Sequence, residues 1–254
     1  MPTPDPRFAG VARLYGAAAL RHLAAMRVAV VGVGGVGSWA AEALARSGVG
    51  SLRLIDADEV CISNTNRQSH ALDGNYGKPK VVVLGERLCA INPALHLQLV
   101  QHFLTVERMD LLADCDLVLD ACDALAVKVA LIAHCRRRQQ PVVTVGSAGG
   151  RIDAARVQVR DLSRTEHDAL LALVRKRLRQ QHGFPRNPER YFGIAAVYSM
   201  ENVRRPPDDS AVCAGANGSL DCGGGLGAVA HVTGTFGFVA AGKALELLLR
   251  LSRE

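Results

Sequence analysis

A glycine-rich turn between a predicted strand and a predicted helix constrains this chain more than any other feature of its sequence. Residues 27–31 read RVAVV, a β-branched run that predicts a buried strand, and residues 38–46 predict a helix. The turn between them reads GVGGVG, with Gly32, Gly34, Gly35 and Gly37. Such glycines let the backbone approach phosphate closely, and the helix N-terminus offers amide donors. The segment therefore predicts the first strand-turn-helix unit of a nucleotide-binding fold.

Predicted strands and helices alternate along the rest of the chain. Strands are predicted at residues 52–55, 95–100, 117–119, 142–145 and 157–159, and helices at residues 78–90, 125–138 and 166–181. This alternation predicts an α/β fold, a Rossmann-like doubly wound, mostly parallel sheet with a C-terminal extension. We expect a single domain over residues 1–254, with a nucleotide-binding core at about 20–150. The extension, 151–254, would contain a flexible loop at 183–225 and a buried apolar helix from 226 to 242.

An acidic residue follows the second predicted strand. Asp56 lies 19 residues after Gly37, at the position from which a carboxylate can accept hydrogen bonds from ribose hydroxyls. Together with the glycine turn it predicts a nucleotide site. These two features fit NAD, FAD and ATP equally well, so the choice of nucleotide depends on other residues.

Several polar residues favour ATP over a redox cofactor. The chain carries Asp58, Asn64, Asn66, Arg67 and Lys80 after the second strand, and Asp120 and Asp123 after the fourth. Strand ends of a doubly wound sheet line one crevice, so these side chains should converge near the glycine turn. Arginine and lysine can neutralise a triphosphate and a departing pyrophosphate, and Asp123 can hold Mg²⁺ against the phosphates. Hydride transfer requires none of these groups.

Composition limits the compartment and the metal chemistry. The formal net charge is +6, which favours polyanionic partners without identifying one. The seven cysteines form no C-x-x-C pair, so we expect reduced thiols in a cytoplasmic protein and no zinc. Residues 226–242 are apolar but short and are followed by charges, so membrane association is not expected.

The motifs of this sequence, taken together, resemble those of a known superfamily. GVGGVGSWAAEAL, IDADEV, NTNRQ, GKPK, INP and DACD resemble, in order, motifs of the ubiquitin-activating-enzyme-like (E1-like, ThiF/MoeB/HesA) adenylating enzymes. The resemblance implies ATP and Mg²⁺ at the positions of Gly34, Asp56, Asn66, Arg67, Lys80 and Asp123. It also implies a homodimer in which an arginine near the N-terminus reaches the partner's ATP site. Arg13 is the candidate, with Arg7 as the alternative.

Further stretches resemble one subfamily. RFAGVARLYG, TNRQSHAL, SAGGRIDAARVQVRDL and DCGGGLGAVAHVTGTFGFVA are similar to the tRNA threonylcarbamoyladenosine dehydratases. Members use ATP to cyclise N6-threonylcarbamoyladenosine at position 37 of tRNA, beside the anticodon. One alternative is an adenylyltransferase that activates the C-terminus of a ubiquitin-like sulphur-carrier protein, but such relatives usually carry two C-x-x-C zinc pairs. The other is an NAD-binding oxidoreductase.

The implied chemistry is carboxylate adenylation followed by ring closure. Arg13, Arg67 and Lys80 would stabilise the charge that develops during these steps. Cys222, in the stretch DCGGG, is a candidate nucleophile or sulphur acceptor, which leaves open a sulphur-transfer partner protein. Cys213 is a weaker candidate. Ring closure needs no external nucleophile, so a structural role for Cys222 stays open.

Contact with the anticodon loop of tRNA should be basic. The candidate phosphate contacts are Arg136, Arg137, Arg138, Arg175, Lys176, Arg177, Arg179, Arg186, Arg190, Arg204 and Arg205. The triplet at Arg136 could equally be a solvated helix face. Tyr191, Phe192 and Tyr198 could stack on an unpaired base, or could form a small core of their own.

Overall fold

Seven strands form one sheet in the computed structural model, which describes residues 5–187, 189–205 and 226–251. The strands are β1 (Arg27–Val31), β2 (Ser51–Ile55), β3 (His96–Val100), β4 (Leu117–Asp120), β5 (Val142–Val145), β6 (Val157–Asp161) and β7 (Ala195–Ser199). Their order is β3-β2-β1-β4-β5-β7-β6. All neighbours are parallel except the pair of β6 and β7. The predicted doubly wound, mostly parallel sheet is therefore confirmed.

Helices cover both faces of the sheet. They are α1 (Ala9–Tyr15), α2 (Ala17–Ala25), α3 (Gly37–Arg46), α4 (Lys80–Ile91), α5 (Leu125–Arg137), α6 (Ala169–Gln181) and α7 (Ala230–Leu251). Alternate residues of each strand belong to different cores. Val28 and Val30 of β1 pack in the core beneath α3, α4 and α7, whereas Ala29 and Val31 pack in the core beneath α5 and α6. This alternation follows from the two-residue period of a strand and explains why the buried strands are apolar on both sides.

The C-terminal part of the chain is built into the same sheet. Strand β7 pairs with β5 on one side and with β6 on the other, so it joins residues from both sides of position 150. The sequence analysis placed residues 195–199 in a long loop, and this expectation is wrong. The run AAVYS is short, and prolines precede and follow it in the sequence. These features are typical of a loop, although the run forms a strand buried within the sheet.

Helix α7 is the central helix of one face. By length and composition it could span a membrane. However, more than half of its most apolar 18-residue stretch is buried inside the protein. Val232, Phe236, Ala240 and Leu248 contribute to the core that α7 shares with α3. The apolar segment predicted as a buried helix is thus a core helix, although it extends further than residue 242.

The N-terminal helices, which the sequence analysis did not predict, pack at the amino edge of the sheet. The turn before β2 packs closely against these helices, because a Cβ on Gly48 would lie 2.7 Å from Leu20 Cδ1. The Gly50 amide also donates to the Leu23 carbonyl over 3.0 Å. Because strands β1 and β2 begin at this edge, α1 and α2 lie at the end of the sheet opposite the glycine turn.

Two glycines of the turn are required by the backbone geometry. Gly32 has φ +81°, and a Cβ there would lie 3.0 Å from the Ala121 carbonyl oxygen. A Cβ on Gly37 would lie only 1.8 Å from the Gly32 carbonyl oxygen. No L side chain fits at Gly37 unless the backbone moves. The first turn of α3 is thus held directly against the end of β1.

Replacing Gly37 by alanine should destabilise the protein. We expect Gly37→Ala to lower the free energy of unfolding by at least about 3 kcal/mol, because its methyl group meets backbone that cannot rotate away. Gly34→Ala is the matched control, since a Cβ there would lie 3.7 Å from Gln68 Nε2, an ordinary contact. It should change stability by less than about 1 kcal/mol. Urea denaturation followed by circular dichroism measures both, and equal stabilities would contradict this geometry.

Candidate nucleotide-binding site

The carboxyl edge of the sheet brings the predicted site residues together. The parallel strands β1, β2 and β4 end side by side, and their ends lead into the glycine turn, Asp56 and Asp120. A Cβ on Gly32 would touch the backbone of Ala121 and Cys122, so the turn after β4 lies against the turn after β1. This is the crevice in which open α/β sheets bind ligands.

Asp56 is tied to the glycine turn by a hydrogen bond. The Val33 amide donates to Asp56 Oδ2 over 2.8 Å, and the Asp58 amide donates to Oδ1 over 2.9 Å. Burial raises the pKa of this carboxyl group, while the two amide donors and the nearby Lys80 ammonium act against that rise. Asp56 therefore fixes the turn, and its contact with a ribose stays a prediction.

Lys80 enters the site as an ion pair with Asp58. Its side chain is only 3% exposed, and its Nζ lies 2.7 Å from Asp58 Oδ2. The backbone supports the pair, because the Lys80 amide donates to the Asp58 carbonyl over 2.9 Å. Lys80 begins α4, directly after Pro79. The ammonium group is thus held near Asp56 by a carboxylate that is itself half-exposed, so an incoming phosphate could share it.

The segment from Asn64 to Arg67 lies beside the glycine turn. Asn64 is buried, and its Oδ1 accepts from the Cys61 amide over 3.0 Å, which gives it a role in the turn; its predicted ATP contact stays a prediction. Asn66 Nδ2 donates to the Ala228 carbonyl over 2.7 Å. Arg67 Nη1 donates to the Ser63 carbonyl over 2.7 Å and to Asn66 Oδ1 over 2.9 Å.

The Arg67 side chain runs along the glycine turn. Its Cγ would lie 3.4 Å from a Cβ on Gly35. Its carbonyl accepts from Trp39 Nε1 over 3.0 Å and from Thr233 Oγ1 over 3.3 Å. Helices α3 and α7 therefore position the arginine backbone. These contacts place the guanidinium beside the turn that the sequence predicts to hold phosphates.

Gln68 is a residue of the site that sequence reasoning did not select. It is 4% exposed, its Nε2 faces Gly34, and its Oε1 has no hydrogen-bond partner among the described residues. The neighbouring His70 is also buried, with both ring nitrogens unpartnered in the described part of the chain. Burial, followed by the charges of Lys80 and Arg87, lowers its pKa to about 4, so His70 is neutral near pH 7. The signal for Gln68 was its place directly after Arg67 in the NTNRQ motif.

A buried ion pair supports the turn that carries Asp123. Lys128 Nζ lies 2.7 Å from Asp120 Oδ2, both side chains are inaccessible to solvent, and the Thr144 hydroxyl donates to the same oxygen over 2.6 Å. The Cys122 amide donates to Asp120 Oδ1 over 3.3 Å. Asp123 itself is exposed and forms no hydrogen bond or ion pair with described residues. The pair thus fixes β4, β5 and α5 beneath a carboxylate that is available to a ligand.

A second buried cation holds the other half of the crevice. Arg151 is 1% exposed and donates to the backbone carbonyls of Ser147, His167, Ser199 and Glu201. It thereby joins the segments that follow β5 and β7. The Gly150 amide donates to the Gly227 carbonyl, and the Arg204 amide donates to the Gly150 carbonyl, each over 2.7 Å. Both described ends of the 206–225 gap therefore lie next to Gly150.

The remaining predicted residues lie elsewhere. Arg13 is exposed on α1, which packs with α2 at the amino edge, away from the glycine turn of its own chain. Arg7 is ion-paired with Asp5. Cys213 and Cys222 lie outside the described residues. The described residues include no group of three or more His, Cys, Asp or Glu side chains that could hold a metal ion.

Of the three aromatic residues proposed to stack on a base, two are buried and cannot reach one. Phe192 and Tyr198 are buried in the core beneath α5 and α6, where Phe192 packs edge-to-face on Phe184 with ring centroids 4.9 Å apart. The sequence around them resembles a loop and does not predict these apolar surroundings, so the proposed stacking by Phe192 and Tyr198 is wrong. Tyr191 is exposed, with the Arg164 guanidinium 4.9 Å from its ring centroid.

The chain is similar to known proteins over nearly its whole length. The chain is 46% identical over 250 residues to tRNA threonylcarbamoyladenosine dehydratase of Escherichia coli (strain K12), covering 96% of this chain and 93% of that protein. It is 41% identical to the protein of the same name from Haemophilus influenzae, covering 97% and 94%. The crystal structure of E. coli tRNA N6-threonylcarbamoyladenosine dehydratase, TcdA, in complex with ATP superimposes with a TM-score of 0.88 at 43% identity, covering 97% and 95%.

The family assignment rests on a match of nearly full length. The model of the ThiF family matches residues 8–254, which include the glycine turn, the buried ion pair of Asp120 and Lys128, and helix α7. The chain belongs to the ThiF family.

Proposed function

We propose that the protein uses ATP to activate the carboxylate of N6-threonylcarbamoyladenosine at position 37 of tRNA and then closes it into a ring. The observation that carries this proposal is the 46% identity to the E. coli dehydratase across 96% of the chain. The structure supports it with a glycine turn, Asp56, Lys80 and Asp123 at one edge of the sheet.

The reaction is a carboxylate activation followed by cyclisation. A carboxylate oxygen attacks the α-phosphorus of ATP, and pyrophosphate leaves. The carbamoyl group of the same substituent then attacks the activated carbonyl, loses a proton and expels AMP. The sum is loss of one water from the nucleoside, with ATP converted to AMP and pyrophosphate. Both reacting groups belong to one substrate, so the protein acts chiefly by positioning and by stabilising charge.

Lys80 and Arg67 are the cations that we assign to the phosphates. Lys80 Nζ is already desolvated and held 2.7 Å from Asp58, so exchange of that partner for a phosphate oxygen needs little rearrangement. Arg67 lies along Gly35, where the turn can bring its amides to the same phosphates. Gln68, with its unpartnered Oε1, adds a neutral group to this cluster.

Asp123 fits a magnesium ion bound with ATP. Its carboxylate is exposed in the crevice and forms no hydrogen bond or ion pair with described residues. Mg²⁺ takes one or two carboxylates and completes its shell with phosphate oxygens and water. When bound, the ion would neutralise charge on the phosphates. The buried pair of Asp120 and Lys128 would keep the Asp123 turn in place while ligands exchange.

Arg13 would act in the partner subunit of a homodimer. In its own chain Arg13 lies on α1 at the amino edge, whereas the glycine turn lies at the carboxyl edge. A contribution to catalysis therefore requires a second copy, as the family resemblance implies. Dimer formation, a cytoplasmic location and a sulphur-transfer partner acting through Cys222 remain parts of this proposal.

Two other functions would use the same fold. Activation of a sulphur-carrier protein shares every phosphate contact and differs only in the carboxylate. An NAD-dependent reaction gives no role to Lys80, Arg67 or Asp123. The substrate is therefore what an experiment must establish.

The central prediction is a loss of mass from the modified nucleoside. Purified protein, ATP and Mg²⁺ are incubated with tRNA that carries threonylcarbamoyladenosine, and the digested nucleosides are weighed by mass spectrometry. We expect the modified adenosine to lose one water, with AMP and pyrophosphate formed in equal amounts. The control omits ATP. Unchanged nucleoside together with adenylation of a carrier protein ending in Gly-Gly would replace our proposal by the first alternative.

Lys80→Ala should remove activity without unfolding the protein. We expect the rate of AMP formation to fall by about 10²- to 10³-fold, because a preorganised cation facing the phosphates is lost. Asp58 is half-exposed and can be solvated after the change, so the melting temperature should move little. Lys78→Ala is the matched control from the same turn, since Lys78 is exposed and its side chain hydrogen-bonds, within the described residues, to Asn75 alone. Equal activities of the two variants would exclude the phosphate role of Lys80.

Mixing two inactive variants tests the placement of Arg13. Arg13→Ala and Lys80→Ala should each be inactive alone. In mixed dimers that exchange subunits freely, one site regains Lys80 from one chain and Arg13 from the other. About a quarter of all sites should then be intact, so activity should recover to about a quarter of wild type. If Arg13 served its own chain, mixing would restore nothing.

A further inference from the structure

We propose that a basic groove along α6 binds the ribose-phosphate backbone of the tRNA substrate outside the reacting nucleotide. This inference rests on the proposed function and adds to it a surface for the RNA. The groove has a volume of about 450 Å³ and is open to solvent. Its lining consists of Ala172, Arg175, Lys176, Arg179, Gln180 and Arg186, with no carboxylate among them.

The cations of the groove are not neutralised by the protein. Within the described residues, none of Arg175, Lys176, Arg179 and Arg186 forms an ion pair with a carboxylate. Arg175 instead donates to the Thr165 hydroxyl, and Arg179 donates to the Pro185 carbonyl over 3.2 Å. Neutral hydrogen-bond partners orient these two side chains, and the carboxylates of Asp168 and Glu166 act on Arg175 without forming an ion pair with it. Bringing like charges together is unfavourable unless an anion shares the site.

Several other arginines of the described chain are ion-paired with carboxylates. Arg46 and Arg87 share Glu42, Arg53 pairs with Asp114, and Arg204 pairs with Glu201. Arg204 belonged to the set predicted to contact RNA, and its ion pair sets it apart from the groove. Among the described residues, α6 and the loop after it therefore carry a group of cations without ion pairs, as does the end of α5 at Arg136, Arg137 and Arg138.

The groove lies within reach of the reaction crevice. Helix α6 begins after Asp168, whose Oδ2 accepts from the Ser147 amide over 2.8 Å at the carboxyl end of β5. At 1.5 Å per residue, Arg175 and Arg179 lie about 10 and 16 Å further along the helix. An RNA strand whose modified base enters the crevice would have neighbouring phosphates at such distances. The same RNA strand could therefore contact both the crevice and the groove.

The shape and the lining favour RNA over a small anion or an acidic protein. The cations are spread along the side of a helix and a loop, rather than gathered around one point or at a helix N-terminus. Ala172 is the only apolar residue in the lining, whereas protein interfaces bury an apolar, often aromatic, centre. The four cations spread along the lining suit phosphates, which position RNA without reading its sequence.

Charge reversal in the groove should weaken tRNA binding and reduce its salt dependence. Lys176 and Arg186 are exposed and make no contact on which folding depends. We expect Lys176→Glu and Arg186→Glu each to raise the Kd for an unmodified tRNA transcript by about tenfold, and to reduce the slope of log K against log salt by about one. Arg21→Glu is the matched control, because Arg21 is exposed on α2 at the opposite face. Its Kd should stay within about twofold of wild type.

Kinetics then separate this proposal from the proposed function. With modified tRNA, the two groove variants should raise KM for tRNA while kcat and the affinity for ATP stay near wild type. Lys176→Gln should give a smaller effect in the same direction, which controls for damage by the introduced acid. If the groove variants match Arg21→Glu in Kd and salt slope, the groove proposal is wrong, whether or not wild type removes water. If wild type leaves the nucleoside unchanged, the proposed function fails while binding of the transcript still tests the groove.

Discussion

The close approach of the first turn of α3 to the end of β1 is the constraint on which the site depends. Gly37 lies so near the Gly32 carbonyl that no side chain fits between them, and Gly32 itself lies against the backbone of Ala121. Three strand ends are thereby held within one crevice. The hydrogen bond from the Val33 amide to Asp56 then closes the turn on the second strand. Amide donors and the acidic residue take their positions from this packing before any ligand binds.

Buried charges extend this rigid arrangement to both sides of the crevice. Asp120 and Lys128 pair beneath the turn that carries Asp123, and Arg151 gathers four backbone carbonyls beneath the ends of β5 and β7. Each cation is fully enclosed, so losing its partners would leave an unpaired buried charge, a change that commonly costs 3–5 kcal/mol. Such groups hold irregular turns in one conformation. Exposed side chains that we propose to bind ligands, such as Asp123, then need no partner among the described residues.

The cations of the crevice and the cations along α6 have different kinds of partner. At the crevice, Lys80 is paired with Asp58, so the phosphate that we propose there would share or replace that carboxylate. Along α6 the cations have only neutral partners, and their field extends into solvent. The first arrangement favours a ligand that must be bound and released with defined geometry. The second favours a long polyanion that is attracted without being read.

The sequence determined the nucleotide-binding core nearly to the residue, because its signals are local. A β-branched run, a glycine turn and an acid at a strand end each require a particular backbone, so β1, α3 and the place of Asp56 followed from spacing alone. Only the tertiary structure decided what depends on distant partners. Strand β7 is a strand because β5 and β6 flank it, and Phe192 and Tyr198 are core residues because α5 and α6 cover them.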